Sequence, residues 1–207
     1  MPEGHRTIDP SQTPWVEVYR RLTDVVVPRP IAWVSTVDAE GRPNLAPFSF
    51  FTVVSSNPPY LAFSPHRAGR TGTKKDTLRN IEATRQFVVA AVTAEARYKA
   101  NASAALLPHG ESEFEHAGVA SAPAEVVRPW LVADSPVNME CELVEIRTYG
   151  EEGGAGSLVV GKVVRMHLDE RLLTDDGAVD PVRLRAVGRM GGSLWVDTEG
   201  TFPMERP

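Results

Sequence analysis

The sequence predicts a mainly β protein with helices, a small antiparallel barrel with helices at its rim, and three observations carry that expectation. Short runs rich in β-branched and aromatic residues recur at 31–37, 44–54, 60–64 and 87–92, each bounded by Gly, Pro, Asn or Asp. Two longer alternating segments, 137–149 and 157–168, flank a glycine-rich stretch at 150–156 and predict a long antiparallel hairpin. At 207 residues, with 42% apolar and 24% charged residues, the chain is long enough to bury a core and too apolar to be disordered. One domain is expected over residues 1–207.

Residues 1–14 hold three prolines among polar residues and are expected to form an arm, suited to wrapping a partner in a dimer. Residues 31–37 form a strand, 38–42 turn through Gly41, and 44–54 return as a second strand. Within that second strand Pro47 has no N–H, so with Ser49 it opens the ladder and frees backbone groups. Asn57-Pro-Pro59 forces a loop before a third strand at 60–64, whose continuous apolar character suits burial on both faces. Residues 65–73 form a basic loop with Arg67 and Arg70, read either as a solvated surface or as a contribution to anion binding.

A helix is expected over 76–85. Asp76 or Thr77 would cap it, Leu78 and Ile81 face inward, and Lys74 and Lys75 flank its positive end. Such a terminus suits an anion, most commonly a phosphate. After the strand at 87–92, the alanine-rich 94–107 predicts a helix stopped by Pro108, and 111–115 begins another short one. Pro123, Pro129 and Pro136 break the following region. Cys141 points inward by alternation, as a buried thiol. The Gly-Gly-Ala-Gly run at 153–156 precedes a strand rather than a helix, which makes it a hairpin tip and not a dinucleotide fingerprint.

A net charge of -5 without a long basic block argues against nucleic acid as a partner. Apolar runs such as 87–92 are too short to cross a bilayer, and the start Met1-Pro-Glu-Gly-His lacks a basic region followed by an apolar one. A cytoplasmic protein without a membrane partner is expected. One cysteine makes no intramolecular disulfide, His5, His66, His109 and His116 lack metal-ligand spacing, and no Ser-His-Asp order argues for hydrolysis.

Pro28-Arg-Pro-Ile-Ala-Trp-Val-Ser-Thr36, Gly41-Arg-Pro-Asn-Leu-Ala-Pro-Phe-Ser-Phe-Phe51, Ser55-Ser-Asn-Pro-Pro59 and Lys75-Asp-Thr-Leu-Arg-Asn-Ile81 together resemble the flavin reductase-like, FMN-binding split-barrel family in its flavoredoxin-like branch. The likeness continues through Gly110-Glu-Ser-Glu-Phe-Glu115, Ser135-Pro-Val137, Gly161-Lys-Val-Val164 and Asp180-Pro181 to Arg189-Met-Gly-Gly192. It implies an antiparallel split barrel, FMN as cofactor, NADH or NADPH as electron donor, and a homodimer. Free flavin, a partner oxygenase or a small molecule would accept the electrons. A flavin-binding electron carrier or storage protein is the alternative.

For the cofactor, Ala46, Pro47, Ser49, Phe50 and Phe51 would line the ring and ribityl chain, and Lys75, Asp76 and Thr77 would face the phosphate. Taken alone, the aromatics read as core and the Lys-Asp-Thr cluster as a helix cap. The resemblance adds Arg29 and Asn80 near the cofactor and gives His167 a place beside the nicotinamide, where a surface or core histidine reads equally well. Three departures from the family pattern stand out: Thr84-Arg85 where Thr-Gly is common, Ala90 where an asparagine is common, and Trp195 in place of a tyrosine.

Overall fold

The computed structural model describes residues 4–108 and 110–205; His109 lies outside them. Helix α1 (Trp15–Val25) leads into the short β1 (Arg29–Pro30), followed by β2 (Ala32–Val37), β3 (Pro43–Phe48), β4 (Phe51–Ser56) and β5 (Pro59–Phe63). Next come α2 (Asp76–Thr84), β6 (Gln86–Ala91), α3 (Arg97–Ala102), α4 (Glu113–His116), β7 (Ser121–Ala122) and β8 (Leu131–Val132). The long hairpin of β9 (Val137–Thr148) and β10 (Ser157–Leu168) precedes α5 (Pro181–Leu184), β11 (Gly188–Arg189) and β12 (Trp195–Val196).

Seven strands form one antiparallel sheet in the order β3-β2-β6-β9-β10-β5-β4. The expected second strand at 44–54 is two strands. β3 pairs with β2, whereas β4 pairs with β5 at the far end of the order. Only Ser49 and Phe50 separate them, and three Cα steps reach at most about 11 Å. The sheet therefore curls until its two edges are neighbours, yet no ladder joins them, which is the geometry of a split barrel. Pro47 is compatible with this place because β3 is an edge strand and one N–H is not missed there.

The inner strands are covered on both faces. On β2, Ala32 and Val34 pack in one apolar cluster with Phe63, Phe87 and Leu78, and Trp33 packs in another with Ala100 and Phe114. That alternation explains why all six residues of β2 are buried. Cys141 lies in the first cluster, where burial pushes its thiol pKa up. Phe63 and Phe87 meet edge to face at 5.5 Å. Gly161 of β10 sits against this pair, where an added Cβ would come within 2.2 Å of Phe87 Cζ, and the β9–β10 register shifts at that point.

Helix α1 is absent from the sequence-based expectation. Its signal is the recurrence of Trp15, Val18, Tyr19 and Leu22 after Pro14. The helix expected over 94–107 shrinks to α3. Tertiary bonds take its ends: Ala94 N–H donates to Arg185 C=O, and the Ser103 hydroxyl accepts from Trp33 Nε1 at 2.9 Å. The glycine-rich hairpin tip packs closely on other segments. A Cβ on Gly153 would meet the Gly69 carbonyl at 2.0 Å, and one on Gly154 would meet Trp15 at 2.5 Å.

A buried carboxylate fastens the irregular segment before β8. Glu140 is fully buried and accepts the backbone N–H groups of Glu125, Val126 and Val127 at 2.7 to 2.9 Å. His167 Nε2 lies 2.6 Å from Oε1, the oxygen that also accepts the Glu125 N–H. Burial alone would push the Glu140 carboxyl up, but the three N–H groups and the imidazole hold it below the ordinary glutamate range. Among the described residues no helix is long and apolar enough to cross a membrane, and no group of three His, Cys, Asp or Glu could hold a metal.

Two outcomes follow for stability. Gly161→Ala is expected to lose about 1 to 3 kcal/mol through overpacking on Phe87, read as a fall in Tm, and an unchanged Tm would show that the bulge absorbs the methyl group. Glu140→Gln is expected to lose about 3 kcal/mol at pH 7 in urea unfolding. Because the folded carboxyl titrates below the unfolded one, its contribution is complete above about pH 4.3 and is lost as the pH falls through the lowered folded value. The gap between wild type and variant therefore narrows on acidification, and a gap independent of pH would contradict an ionised carboxylate.

Candidate functional site

Strand β3, the loop before α2 and the turn after α3 enclose a cavity of about 290 Å³. Asn44, Ala46 and Pro47 of β3 form one wall, the segment from Thr73 to Thr77 with Arg79 a second, and residues 103–107 with Glu113 a third, Ala68 completing the lining. No side chain caps α2: Lys75 stands at the capping position in an extended conformation. The expected cap by Asp76 or Thr77 does not form, because each side chain has another partner. Asp76 pairs with Arg79 at 2.8 Å, and the Thr77 hydroxyl accepts from Asn44 Nδ2 at 3.0 Å.

The charge at this end of α2 is concentrated in one side chain. Lys74 is bound to Glu82 at 2.6 Å and Arg79 to Asp76, whereas among the described residues Lys75 has no carboxylate within 4.0 Å. The positive end of the helix adds to it. Glu113, nearly buried, accepts the Leu45 N–H at 3.0 Å. Burial foremost, with Asp76 nearby, raises its carboxyl above the ordinary range, while the backbone bonds and Lys75 act in the opposite direction.

A buried polar layer holds the walls together. Asn44 Nδ2 donates to Thr36 Oγ1 as well as to Thr77 Oγ1, and Asn80 Nδ2 donates to Thr36 Oγ1 at 3.0 Å. Thr77 accepts in this layer, so its own hydroxyl hydrogen remains to donate.

Of the residues expected at the cofactor, five meet here: Ala46, Pro47, Lys75, Asp76 and Thr77. Asn80 stands one layer behind, in the Thr36 network. Arg29 is buried and protein acceptors take four of its five guanidinium N–H groups. Nη1 donates to the Thr23 and Val26 carbonyls, Nη2 to Met190, and Nε to the Ser49 hydroxyl at 3.4 Å. Burial lowers its pKa, yet a guanidinium remains charged. Phe50 lines a separate groove with Tyr19 and His66, meeting the imidazole edge to face at 4.5 Å, and Phe51 packs toward the barrel core. His167 is bound to Glu140 and is not among the residues lining the α2 cavity.

Sequence reasoning missed Asn44, Glu113 and His66. Asn44 stood within a noted motif, but nothing in its spacing announced a link to Thr77. Burial first, then the charge of Lys75, lowers the His66 pKa. The donor set at α2, an uncapped helix start with Lys75 and a free hydroxyl hydrogen on Thr77, fits a terminal phosphate.

The chain is similar to known proteins over most of its length. An uncharacterized protein of Halalkalibacterium halodurans is 37% identical over 202 residues, covering 97% of this chain and 96% of the relative. The structure of nitrilotriacetate monooxygenase component B from Bacillus cereus is 32% identical, with a TM-score of 0.91 over 98% of this chain and 100% of that one. The 2-nitrobenzoate 2-nitroreductase of Pseudomonas fluorescens is 28% identical, with a TM-score of 0.85 over 98% and 96%. Residues 25–183 match the sequence pattern of the Flavin reductase like domain. With that match over most of its length, on an antiparallel sheet that curls without closing, the chain belongs to the flavin reductase-like split-barrel family.

Proposed function

We propose that this protein is an FMN-dependent oxidoreductase that takes a hydride from NADH or NADPH and delivers the electrons to free flavin, a partner oxygenase or a small acceptor. The observation that carries the reading is the convergence of Ala46 and Pro47 with Lys75, Thr77 and an uncapped helix start around one cavity. Bound FMN would supply a ring able to accept a hydride. The chain's own part is to bind and orient. Lys75 gives a charge-assisted contact to the phosphate, Thr77 donates its hydroxyl hydrogen, and β3 forms the wall along which the rest of the cofactor lies.

The similarity to an oxygenase component supports the delivery of reduced flavin to a partner, and the nitroreductase supports a small acceptor. In this reading the whole chain is one flavin-binding unit in a cytoplasmic homodimer. Its free buried thiol suits a reducing compartment. The outward residues of α1, among them Trp15 and Leu22, and Val53 and Val54 on edge strand β4 offer an apolar surface for a second copy.

FMN is expected to bind, and Lys75→Ala to weaken it about tenfold or more. Riboflavin, which lacks the phosphate, is expected to bind both proteins almost equally. Parallel losses for the two ligands would place the phosphate elsewhere. Rapid anaerobic mixing of the FMN-loaded protein with NADH and with NADPH is expected to bleach the flavin, and the absence of bleaching with both would favour an electron carrier.

A further inference from the structure

Among the described residues, two titratable side chains of the α2 cavity lack an opposite charge within 4.0 Å, Lys75 and Glu113; Lys74 pairs with Glu82 and Arg79 with Asp76. Glu113 is nearly buried on α4, lines the cavity, and accepts the Leu45 N–H through Oε2 at 3.0 Å. Neither β3 nor residues 103–107 bring a titratable side chain to the lining, and Glu111, Glu115 and His116, its neighbours in the chain, are exposed. Lys75 and Asp76 are the charges that act on Glu113, and they act in opposite directions.

A phosphate monoester carries about −1.5 to −2 charges at pH 7. An ionised Glu113 cancels Lys75 in the formal count over the lining, so an entering phosphate would gain little beyond the attraction of the helix end. A protonated Glu113 removes that opposition and changes the role of the group. One oxygen stays on the Leu45 N–H, and the hydroxyl hydrogen becomes a donor that a phosphate oxygen can accept. Two like charges enclosed in one cavity raise a carboxyl's affinity for a proton. Burial already favours the neutral acid before any ligand arrives, and an added anion works in the same direction.

We propose that Glu113 makes phosphate recognition proton-linked: its carboxylate takes up one proton from solvent as the terminal phosphate of FMN enters, and the resulting acid donates a hydrogen bond to the phosphate. Glu113 is thereby a specificity determinant that favours the phosphorylated flavin over riboflavin more strongly as the pH falls. The proposal rests on the assignment of the α2 cavity to the FMN phosphate. Affinity for FMN falls with rising pH between the titration of Glu113 in the free protein and its higher titration in the complex. Riboflavin brings the same ring without the phosphate, so its affinity does not follow this titration.

Calorimetric titration of the full-length protein with FMN and with riboflavin, in buffers of different ionisation enthalpy between pH 6.5 and 8, tests the linkage. At pH 7, where the FMN phosphate is already largely dianionic, about half a proton or more is expected to be taken up per FMN and none with riboflavin. Wild-type affinity for FMN is expected to fall about threefold or more across the range. Glu113→Gln is neutral at every pH and can keep an oxygen on the Leu45 N–H. It is expected to bind FMN without proton uptake and with an affinity that changes less than about twofold. The wild-type titrations need no variant, so they decide the matter even where Glu113→Gln fails to fold. FMN binding to wild type without proton uptake, or uptake that persists in Glu113→Gln, overturns the proposal and leaves the FMN assignment standing. Absence of FMN binding, or FMN binding that Lys75→Ala leaves unchanged, removes the assignment and the proposal with it.

Discussion

The passage of the chain through Ser49 and Phe50 is the constraint on which the barrel depends. Those two residues carry the backbone from one edge of the seven-stranded sheet to the other, so the edges must remain close. A buried cation holds the junction. Arg29 reaches the Ser49 hydroxyl with one nitrogen and uses the others on carbonyls of α1, its trailing loop and Met190. A guanidinium out of water is tolerated only where its donors are largely met, and protein acceptors take four of its five N–H groups here. The N-terminal helix, the edge-to-edge crossing and the C-terminal segment are thereby tied to one side chain.

The α2 site inherits its rigidity from the strands beside that crossing. β3 continues from the crossing back to Asn44, whose amide is bound to Thr36 and Thr77. With Asn80 on the same Thr36 hydroxyl, the start of α2 is fixed to β2 and β3 by a layer of side chains that runs from the cavity wall at Asn44 and Thr77 to Asn80 behind it. An isolated buried amide or hydroxyl would cost about 1 to 3 kcal/mol, so the members of this layer keep one another in place. The helix start is held by these side-chain bonds and not by a capping side chain. The helix start stays open toward the cavity, with its charge already oriented.

Much of this was legible in the sequence, and the parts that were not share a physical cause. The hairpin of β9 and β10 and the strands β2, β5 and β6 follow from alternation and turn chemistry, which are local. Helix α2 starts where Asp76 predicts, but its cap was misread, since Arg79 and Asn44 compete for the side chains that local rules assign to the backbone. In the same way alanine content overstated α3, whose ends are set by Arg185 and Trp33 from distant parts of the chain. The division of 44–54 into two strands was visible only as an interruption at Pro47 and Ser49; that it joins opposite edges is a property of the curled, unclosed sheet. Glu113 lay within the Gly110–Glu115 block, but nothing local placed it or His66 at a site, because each gains its place from a loop path and a long-range contact.

Glu113 changes how the field of the α2 cavity is understood. Counting only Lys75 and the helix end gives a strongly positive site, yet a nearly buried carboxyl shares the wall. Were it ionised at every pH, it would cancel much of the attraction that Lys75 exerts on an anion. Burial, reinforced by Asp76, instead holds its proton to a higher pH than an exposed glutamate would. An anion entering the cavity adds negative charge beside it and pushes in the same direction, toward the neutral acid. A neutral acid can keep one oxygen on the Leu45 N–H and still carry a hydrogen to donate. The positive character of the cavity therefore depends on the protonation of Glu113 as well as on Lys75, and the burial of α4 against β3 is what couples the two.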